Sequence, residues 1–408
     1  MGTCTSIAYK LCEALEQREK ELENVTISCS QFRRPSRLFS PEAAGHFNFC
    51  SYFIGTEERK GIAAGYGDFT SFHLSQIDIW CREIARPNVA FLEVSPCDEN
   101  GYMSFGASGV AVAKYICEIA DTIILQVNRN VPFVYGEDSS IHISQADFVV
   151  EADDVLEAMD EIPSDAAVDQ ISRQIVELVP DGATIQLGLG GLSSAIGFGL
   201  REKNDLGIHS ELMSDAMMHL MKDGVVTNRK KTYMPGKSVA SFAFGSQELY
   251  RFLDHNPDVY FMPFSKVNDP YIIAKNDNMI SINTAMSIDL FGQVAADSLA
   301  FRQQSGTGGQ VDFVRGAQNA RNGKSFFALT STFHHGTKGR MSRIVSSFSP
   351  GTVITTPRSD VQYVATEYGC VNLKTLNMRD RVRAMIGLAH PDFREQLQEE
   401  AKRAGILS

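Results

Sequence analysis

The chain has 408 residues, 43% of them hydrophobic and 21% charged, and its formal net charge is −11 at pH 7. This length allows two domains with a core each, and the composition excludes a disordered or fibrous chain. Because phosphate groups bind to basic surfaces, the acidic balance argues against a nucleic-acid or anionic-membrane partner. No apolar run reaches the roughly 20 residues of a membrane span, and the start of the chain lacks the pattern of a signal peptide.

The cysteines point to a reducing compartment. The chain has eight of them without a C-x-x-C pair, and it contains no H-E-x-x-H motif. Zinc sites usually contain close pairs of ligands, and secreted disulfide-linked proteins are usually short and rich in cysteine. We therefore expect reduced thiols, no bound metal and a location in the cytoplasm.

Short runs of β-branched residues alternate with helical stretches in the first part of the chain. Residues 4–23 have the pattern of an amphipathic helix, and strands are predicted at 25–29, 89–95, 122–128 and 147–153. Continuous apolar runs of this length are typical of buried parallel strands. Their alternation with helices favours an α/β domain with helices on both faces of the sheet.

The alternation is interrupted at residues 161–170, where Pro163 and small polar residues precede a new helix. We place a domain boundary there, which gives a first α/β domain at 1–165 and a second at 166–408. The second domain ends in a polar helix that Pro391 can start. Its strands are predicted within the segments ATIQLGLGG (183–191), DVYFMPF (258–264), MISINTAMSIDL (279–290), KSFFALTS (324–331) and TVITTP (352–357).

Two glycine-rich segments are candidates for binding a ligand through backbone N–H groups. In the first, Gly188, Gly190 and Gly191 follow a predicted strand and precede a helix, whose N-terminus attracts anions. The dinucleotide fingerprint G-x-G-x-x-G fits this segment only in part, because Ser193 occupies the third glycine position. In the second, Gly309 belongs to SGTGGQVDF, where exposed N–H groups can form an oxyanion hole. For both segments, a structural turn is an equally good interpretation of the residues alone.

Glu211 lies in the connection between a strand that ends near His209 and a helix that begins near Ser214. Open α/β sheets bind ligands at the carboxyl ends of their strands, so a carboxylate there is a candidate nucleophile or general base. On the residues alone, a solvated loop glutamate is the commoner case, and His209 and His219 are more often structural than catalytic. No G-x-S-x-G motif provides a serine nucleophile instead.

A set of segments occurs in an order that resembles a known family. These segments are EVSPCDENGYMSFGASG, IHISQADFVVEAD, GATIQLGLGGLSSAI, GIHSELMSDAMMHLM, VNDPYIIAKNDNMISIN, DLFGQVAADS, SGTGGQVDFVRGA, VATEYG and LAHPDFREQL. Together they are similar to the acetyl-CoA hydrolase/transferase family, nearest to its butyryl-CoA:acetate and 4-hydroxybutyrate CoA-transferases. The resemblance covers essentially the whole chain. It implies two related open α/β domains of the CoA-transferase (NagB/RpiA-like) type, with the active site between them.

The resemblance also implies roles for particular residues. Glu211 corresponds to the family's nucleophile, and Gly309 corresponds to a donor of the oxyanion hole. The family's CoA-contacting positions correspond to Gly188, Leu189, Gly190, Gly191, Leu192, Met286, Gly309 and, more loosely because a loop varies in length, Arg321. The implied reaction moves CoA between a short-chain acyl-CoA and a small carboxylate through a covalent glutamyl-CoA thioester. CoA is then a substrate, no cofactor is permanently bound, and a homodimer or a multiple of it is expected.

Two departures from the family pattern are visible. Relatives usually begin earlier, with an additional first strand, so we expect a first domain that is short at its start. Ser287 occupies a position where many relatives have an acidic residue. Because Ser287 adjoins Met286 rather than Glu211, we expect a changed substrate preference and not a loss of the chemistry.

Three alternatives remain open at this point. Water can intercept the same intermediates, which would make the protein an acyl-CoA hydrolase, and only the exclusion of water separates the two activities. A catalytically silent CoA-binding protein would result if the short first domain failed to close over Glu211. A nicotinamide dehydrogenase is disfavoured by Ser193 and by the lack of an acidic residue at the end of a second strand.

Overall fold

The computed structural model describes residue 1 and residues 4–159 and 163–408 of the chain. We refer to residues 1–159 as the first half and to residues 163–408 as the second half. The strands of the first half are β1 (Val25–Cys29), β2 (Phe47–Ser51), β3 (Asp68–Phe69), β4 (Val89–Val94), β5 (Tyr102–Ser104), β6 (Thr122–Asn128), β7 (Ser140–His142) and β8 (Phe148–Ala152). Its α-helices are α1 (Tyr9–Gln17), α2 (Thr56–Ala63), α3 (Ile77–Ile79), α4 (Gly106–Gly109) and α5 (Ala113–Ile119).

The second half contains more elements, many of them short. Its strands are β9 (Thr184–Leu187), β10 (Gly207–Ile208), β11 (Leu212–Met213), β12 (Ser238–Ala240), β13 (Phe242–Ala243), β14 (Val259–Phe261), β15 (Met279–Thr284), β16 (Ser287–Asp289), β17 (Val294–Ala295), β18 (Ser298–Leu299), β19 (Arg302–Gln303), β20 (Lys324–Ala328), β21 (Thr332–His335), β22 (Gly339–Ser342), β23 (Ile344–Val345), β24 (Tyr363–Thr366) and β25 (Gly369–Asn372). Its α-helices are α6 (Ala166–Glu177), α7 (Gly191–Gly199), α8 (Asp215–Lys222), α9 (Gln247–Leu253), α10 (Phe264–Val267), α11 (Pro270–Ile273), α12 (Gln310–Asn319), α13 (Met378–Leu388) and α14 (Pro391–Arg403). Within the described ranges, no helix is both long and apolar enough to span a membrane.

The first half contains two three-stranded parallel sheets, with the strand orders β1-β2-β3 and β4-β6-β8. The predicted α/β class is therefore confirmed, and β1 and β6 match the predicted ranges 25–29 and 122–128. The prediction of one helix over residues 4–23 is wrong, since only α1 is α-helical there. Tertiary contacts hold the chain before α1 instead, such as the hydrogen bond between the Thr5 and Ser108 hydroxyls (2.5 Å).

Strand β8 differs from its prediction in burial. Its apolar run predicts a buried parallel strand, but Phe148 is 61% exposed and Val149 is 44% exposed. β8 is the outer strand of its three-stranded sheet, so only one of its edges is paired. An apolar run therefore predicted a strand correctly but did not show whether the strand is central or outermost.

The second half is built on a six-stranded sheet with the order β10-β9-β15-β20-β24-β25. Neighbouring strands are parallel except β24 and β25, which are antiparallel. Helix α6 begins next to Asp165, whose side chain accepts hydrogen bonds from two backbone N–H groups of the first turn. The strand predicted within residues 352–357 is absent from that segment, where only Thr356 forms a bridge, to Val294.

The two halves share one core. The largest cluster of buried apolar side chains includes Leu92 and Leu125 of the first half and Ile185 and Ile282 of the second half. Burial of apolar surface between them therefore stabilises their association. The domain boundary between residues 165 and 166 stays a prediction, and residues 161 and 162 of the predicted connection lie outside the described residues.

A close backbone contact also joins the halves. Gly136 of the first half pairs with Phe261 of β14. A Cβ atom on residue 136 would overlap the Phe261 carbonyl oxygen, so the two backbones approach this closely only because residue 136 is glycine. Since β14 pairs with β12, and His209 beside β10 pairs with Val239 of β12, this contact links the first half to the six-stranded sheet.

Candidate active site

A cavity of about 240 Å³ lies between the two halves. From the first half, its wall contains Ser30, Gln31, Tyr52, Phe53 and Leu74. From the second half, the wall contains the ends of β9 and β15, Glu211 and the segment from Ser305 to Gly309. Both predicted glycine-rich segments therefore reach the same cavity as Glu211.

Glu211 follows β10, and its carboxylate lies at the cavity wall. Its Oε2 accepts a hydrogen bond from Asn268 Nδ2 (2.6 Å). Burial raises the pKa of Glu211 to about 7, while hydrogen bonds from Asn268 and from the Gly309 backbone N–H act in the opposite direction. Near neutral pH the residue is therefore present both as a carboxylate and as an acid. The carboxylate is poorly solvated, which favours nucleophilic attack.

The space around Glu211 requires glycine at position 309. Gly309 is the N-cap of α12, so the backbone N–H groups of this helix start face the cavity region. A Cβ atom on residue 309 would overlap both Glu211 Oε2 and Asn268 Nδ2. The φ angle of −93° is open to any residue, so the lack of space, and not the backbone conformation, demands glycine. A backbone N–H beside the carboxylate can stabilise negative charge on a carbonyl group attached there.

The first glycine-rich segment connects β9 with α7. Gly190 is the N-cap of α7 and has a φ of 110°, a conformation that favours glycine. Gly188 and Leu189 line the cavity at Glu211, and all four residues from Gly188 to Gly191 line an adjoining cavity of about 20 Å³. Leu192 packs against the shared core. Four of the five residues predicted here thus border open space.

Met286 is not part of the cavity wall. It follows Thr284, which lines the cavity, by two residues. Its carbonyl oxygen accepts a hydrogen bond from Arg343 Nη1 (3.1 Å), and the next residue, Ser287, begins β16. Neither Met286 nor Ser287 is among the residues that line the cavity, and their effect on substrate preference stays a prediction.

The structure does not bring Arg321 to the cavity. Arg321 follows α12, whose ten residues span about 15 Å, so it lies at the opposite end of this helix from Gly309. There it forms an ion pair with Asp277. Arg321 is thus separated from Gly309 and from the first glycine-rich segment. The prediction for Arg321 was the least specific of the set, because the loop before this position varies in length within the family.

His209 has a structural role. It is fully buried, and its Nε2 lies 2.9 Å from the Val267 carbonyl oxygen. Burial, together with the nearby Lys231 ammonium, lowers the pKa of His209 to about 3, so the ring is neutral and donates to this carbonyl. In the part of the chain that the structure describes, no group of three or more His, Cys, Asp or Glu residues is placed to hold a metal ion.

Two polar residues near Glu211 were not predicted from the sequence. Asn268 is the C-cap of α10, and Asp312 lies in the first turn of α12, where it is 3% exposed. Both belong to segments that carry the family resemblance, but a matching segment does not show which side chain faces a cavity. The available signal was the position of Asp312 between Val311 and Phe313, since an acidic residue between two apolar ones is unusual unless it is held by partners.

Fold and site together define a class of protein: an α/β enzyme with a carboxylate, an amide donor and a helix N-terminus in a cavity between two halves. Comparison with known proteins identifies the family, which the geometry alone does not. The sequence profile of the acetyl-CoA hydrolase/transferase N-terminal domain matches residues 1–160, and that of the C-terminal domain matches residues 245–401. The chain belongs to the acetyl-CoA hydrolase/transferase family. Glu211 lies between the two matched ranges.

Individual relatives are similar over most of their length. 4-Hydroxybutyrate coenzyme A transferase of Clostridium kluyveri is 42% identical over 88% of this chain and 82% of the relative. Butyryl-CoA:acetate CoA-transferase of Anaerostipes caccae is 37% identical over 99% of this chain and 92% of the relative. The crystal structure of RipA from Yersinia pestis is 35% identical, with a TM-score of 0.93 over 100% of this chain and 94% of that one. Acetyl-CoA hydrolase of Neurospora crassa is more distant, at 21% identity over 86% of this chain and 74% of the relative.

Proposed function

We propose that this protein is an acyl-CoA:carboxylate CoA-transferase. It moves CoA from a short-chain acyl-CoA, such as butyryl-CoA or 4-hydroxybutyryl-CoA, to acetate or another small carboxylate. The observation that carries the proposal is the desolvated carboxylate of Glu211, held by Asn268 and by the Gly309 backbone N–H in one cavity. Relatives at 42% and 37% identity that are CoA-transferases support the same activity.

The reaction starts with attack by a Glu211 oxygen on the carbonyl carbon of the thioester. A C–O bond forms, the C–S bond breaks, and CoA leaves as a thiolate, so that Glu211 carries the acyl group as a mixed anhydride. The thiolate then attacks the carbonyl carbon of Glu211 and releases the first carboxylate. A glutamyl-CoA thioester remains, and an acceptor carboxylate reverses the two steps. Because one thioester replaces another, the exchange consumes no ATP.

Each attack places negative charge on a carbonyl oxygen. The Gly309 N–H lies at the start of α12, where free N–H groups and the helix dipole favour such charge. One oxyanion donor of this kind typically lowers the barrier by about 3–4 kcal/mol. The Asn268 amide fixes the orientation of the attacking carboxylate through its 2.6 Å hydrogen bond.

The size of the cavity supports a short acyl chain. Sites that enclose a drug-sized ligand usually have volumes of roughly 300–1,000 Å³, and the cavity at Glu211 measures about 240 Å³. We therefore place the acyl group and the thioester inside it, with the rest of CoA running outward over Gly188–Gly191 and the start of α7. A location in the cytoplasm and a homodimeric assembly belong to the proposal as well.

Hydrolysis of acyl-CoA is the second candidate. Gln31 gives the cavity wall an amide group that can bind a water molecule. The Gln186 and Asn283 amides also line the cavity, but they already form hydrogen bonds with each other and with Ser281. A water held near Glu211 would divert the anhydride or the thioester to hydrolysis.

Mass spectrometry of the intact protein mixed with butyryl-CoA separates the two activities. For a transferase we expect a CoA adduct that maps to Glu211 after borohydride reduction and disappears on addition of acetate as acetyl-CoA forms. Release of CoA without acetate and without an adduct would indicate hydrolysis. Absence of both adduct and turnover over a panel of acyl-CoAs would contradict the proposed function.

A further inference from the structure

A second buried carboxylate lies on the helix start that carries Gly309. Asp312 is in the first turn of α12 and is 3% exposed. Both of its oxygens accept hydrogen bonds from one residue of the first half: Oδ1 from the Ser75 hydroxyl (2.8 Å) and Oδ2 from the Ser75 backbone N–H (3.1 Å). The mechanism described above uses neither Asp312 nor Ser75.

Further contacts from the same segment of the first half hold the loop before α12. The Leu74 N–H donates to the Gly308 carbonyl oxygen (3.4 Å), and the Ser71 and Thr307 hydroxyls are 3.3 Å apart. The loop and the first turn of α12 are thus fixed against the first half on both sides of Gly309. Residues 71–75 therefore contact the backbone or side chains on both sides of the N–H group that faces Glu211.

Glu211 in turn acts on Asp312. Burial raises the pKa of Asp312 to about 7, the Ser75 hydrogen bonds lower it, and the neighbouring Glu211 carboxylate raises it. The two carboxyl groups are therefore close enough to interact, whereas Arg315 forms an ion pair with Asp360.

We propose that Asp312 is a positioning residue for CoA transfer: with Ser75 it holds the first turn of α12 so that the Gly309 N–H stays directed at Glu211. This inference rests on the proposed function.

Amide and alanine variants separate the hydrogen-bond contacts of Asp312 from its charge. Asp312→Asn keeps the geometry, because its oxygen accepts from the Ser75 N–H and its amide donates to the Ser75 hydroxyl, but it removes the charge. Asp312→Ala and Ser75→Ala remove the contacts. Ser71→Ala is the matched control, since Ser71 belongs to the same segment and contacts Thr307 instead of Asp312.

The measurement is the rate of glutamyl-CoA formation as a function of pH, with KM for the acyl-CoA determined separately. For Asp312→Ala and Ser75→Ala we expect a fall in kcat of about 10- to 100-fold with KM changed by less than about 3-fold, because the lost positioning acts on the transition state. For Asp312→Asn we expect a rate within about 5-fold of wild type, because both contacts with Ser75 are kept. Ser71→Ala should behave like the wild type.

The wild-type protein decides first whether the proposed function stands, since it must form the adduct on Glu211. If it does, a normal kcat in Asp312→Ala and Ser75→Ala, or a kcat in Asp312→Asn as low as that in Asp312→Ala, would overturn the positioning role alone. A loss of thermal stability in these variants with an unchanged rate per folded molecule would also overturn it, because it would leave Asp312 a purely structural residue.

Discussion

Glu93 and Glu211 are two buried carboxylates in different surroundings. Glu93 lies in β4, is 3% exposed, and accepts hydrogen bonds from Gln126 Nε2 (2.8 Å) and Asn128 Nδ2 (3.0 Å). Glu211 accepts one from Asn268 Nδ2 (2.6 Å). Burial raises the pKa of both residues to about 7. A raised pKa and an amide partner therefore do not by themselves mark a reacting carboxylate.

Access and the backbone around the carboxylate distinguish the two residues. Glu211 borders the 240 Å³ cavity, and a helix N-terminus with glycine at its cap lies directly against it. Glu93 is enclosed in the first half, where its amide partners sit on the neighbouring strand β6. Four experiments test this contrast between Glu211 and Glu93, and they follow in decreasing order of the expected effect.

Removal of the Glu211 carboxylate should abolish most of the activity, whereas removal of the Glu93 carboxylate should leave it nearly unchanged. Glu211→Gln keeps the size of the side chain but removes the nucleophile, so we expect the transfer rate to fall by at least about 10³-fold. Glu93→Gln should stay within about 2-fold of wild type because it lies away from the cavity. Steady-state assays of acetyl-CoA formation measure both, and equal losses in the two variants would refute the contrast.

An added methyl group at the helix cap tests the space around Glu211. Gly309→Ala should lower kcat by about 10²-fold, because its Cβ atom displaces Glu211 and Asn268 and disturbs the oxyanion donor. Gly387→Ala in α13 is the control, since no atom lies within 4 Å of the added Cβ. The control should keep its rate and gain about 0.5–1 kcal/mol of stability. Normal kcat in Gly309→Ala would argue against a donor at this position.

The pH dependence of the first half-reaction tests whether Glu211 reacts as the anion. Its pKa of about 7 predicts that kcat/KM for glutamyl-CoA formation rises as the pH increases through about 7 and then levels off. Rapid-mixing experiments with mass detection give this profile. A profile that is flat between about pH 6 and about pH 8 would mean that a different group, or a differently solvated carboxylate, limits the reaction.

Stability should respond to pH through Glu93. A carboxyl group whose pKa rises from 4.5 to about 7 on folding binds its proton more tightly in the folded state, so stability falls as the pH rises through this window. Glu93→Gln should therefore increase the free energy of unfolding by about 1–3 kcal/mol at pH 8 and change it little at pH 5. Urea unfolding at both pH values measures the difference. A constant difference would show that hydrogen bonding, and not the charge, sets the cost of burying Glu93.

Local patterns predicted much of the fold. The β-branched runs VTISC and TIILQVN are strands over the predicted ranges, and the polar helix that Pro391 starts is α14. The predictions failed where tertiary contacts decide: the helix predicted over 4–23 shortens to α1, and the strand predicted within 352–357 does not form. Propensity describes a segment by itself, whereas hydrogen bonds to distant segments decide whether it keeps that conformation.

The α/β class, the family and the candidate nucleophile Glu211 were predictable from local patterns, because they depend on apolar periodicity and on motifs that are local in the chain. Which residues meet in the cavity was not predictable in this way and emerges from the folded structure. It brought Gly309 and Asn268 onto Glu211, linked Asp312 to Ser75, and left Arg321 at the far end of α12. The physical reason is that the carboxylate's desolvation and its hydrogen-bond partners come from segments far apart in the chain, and their distances are set only when the two halves pack around a shared core.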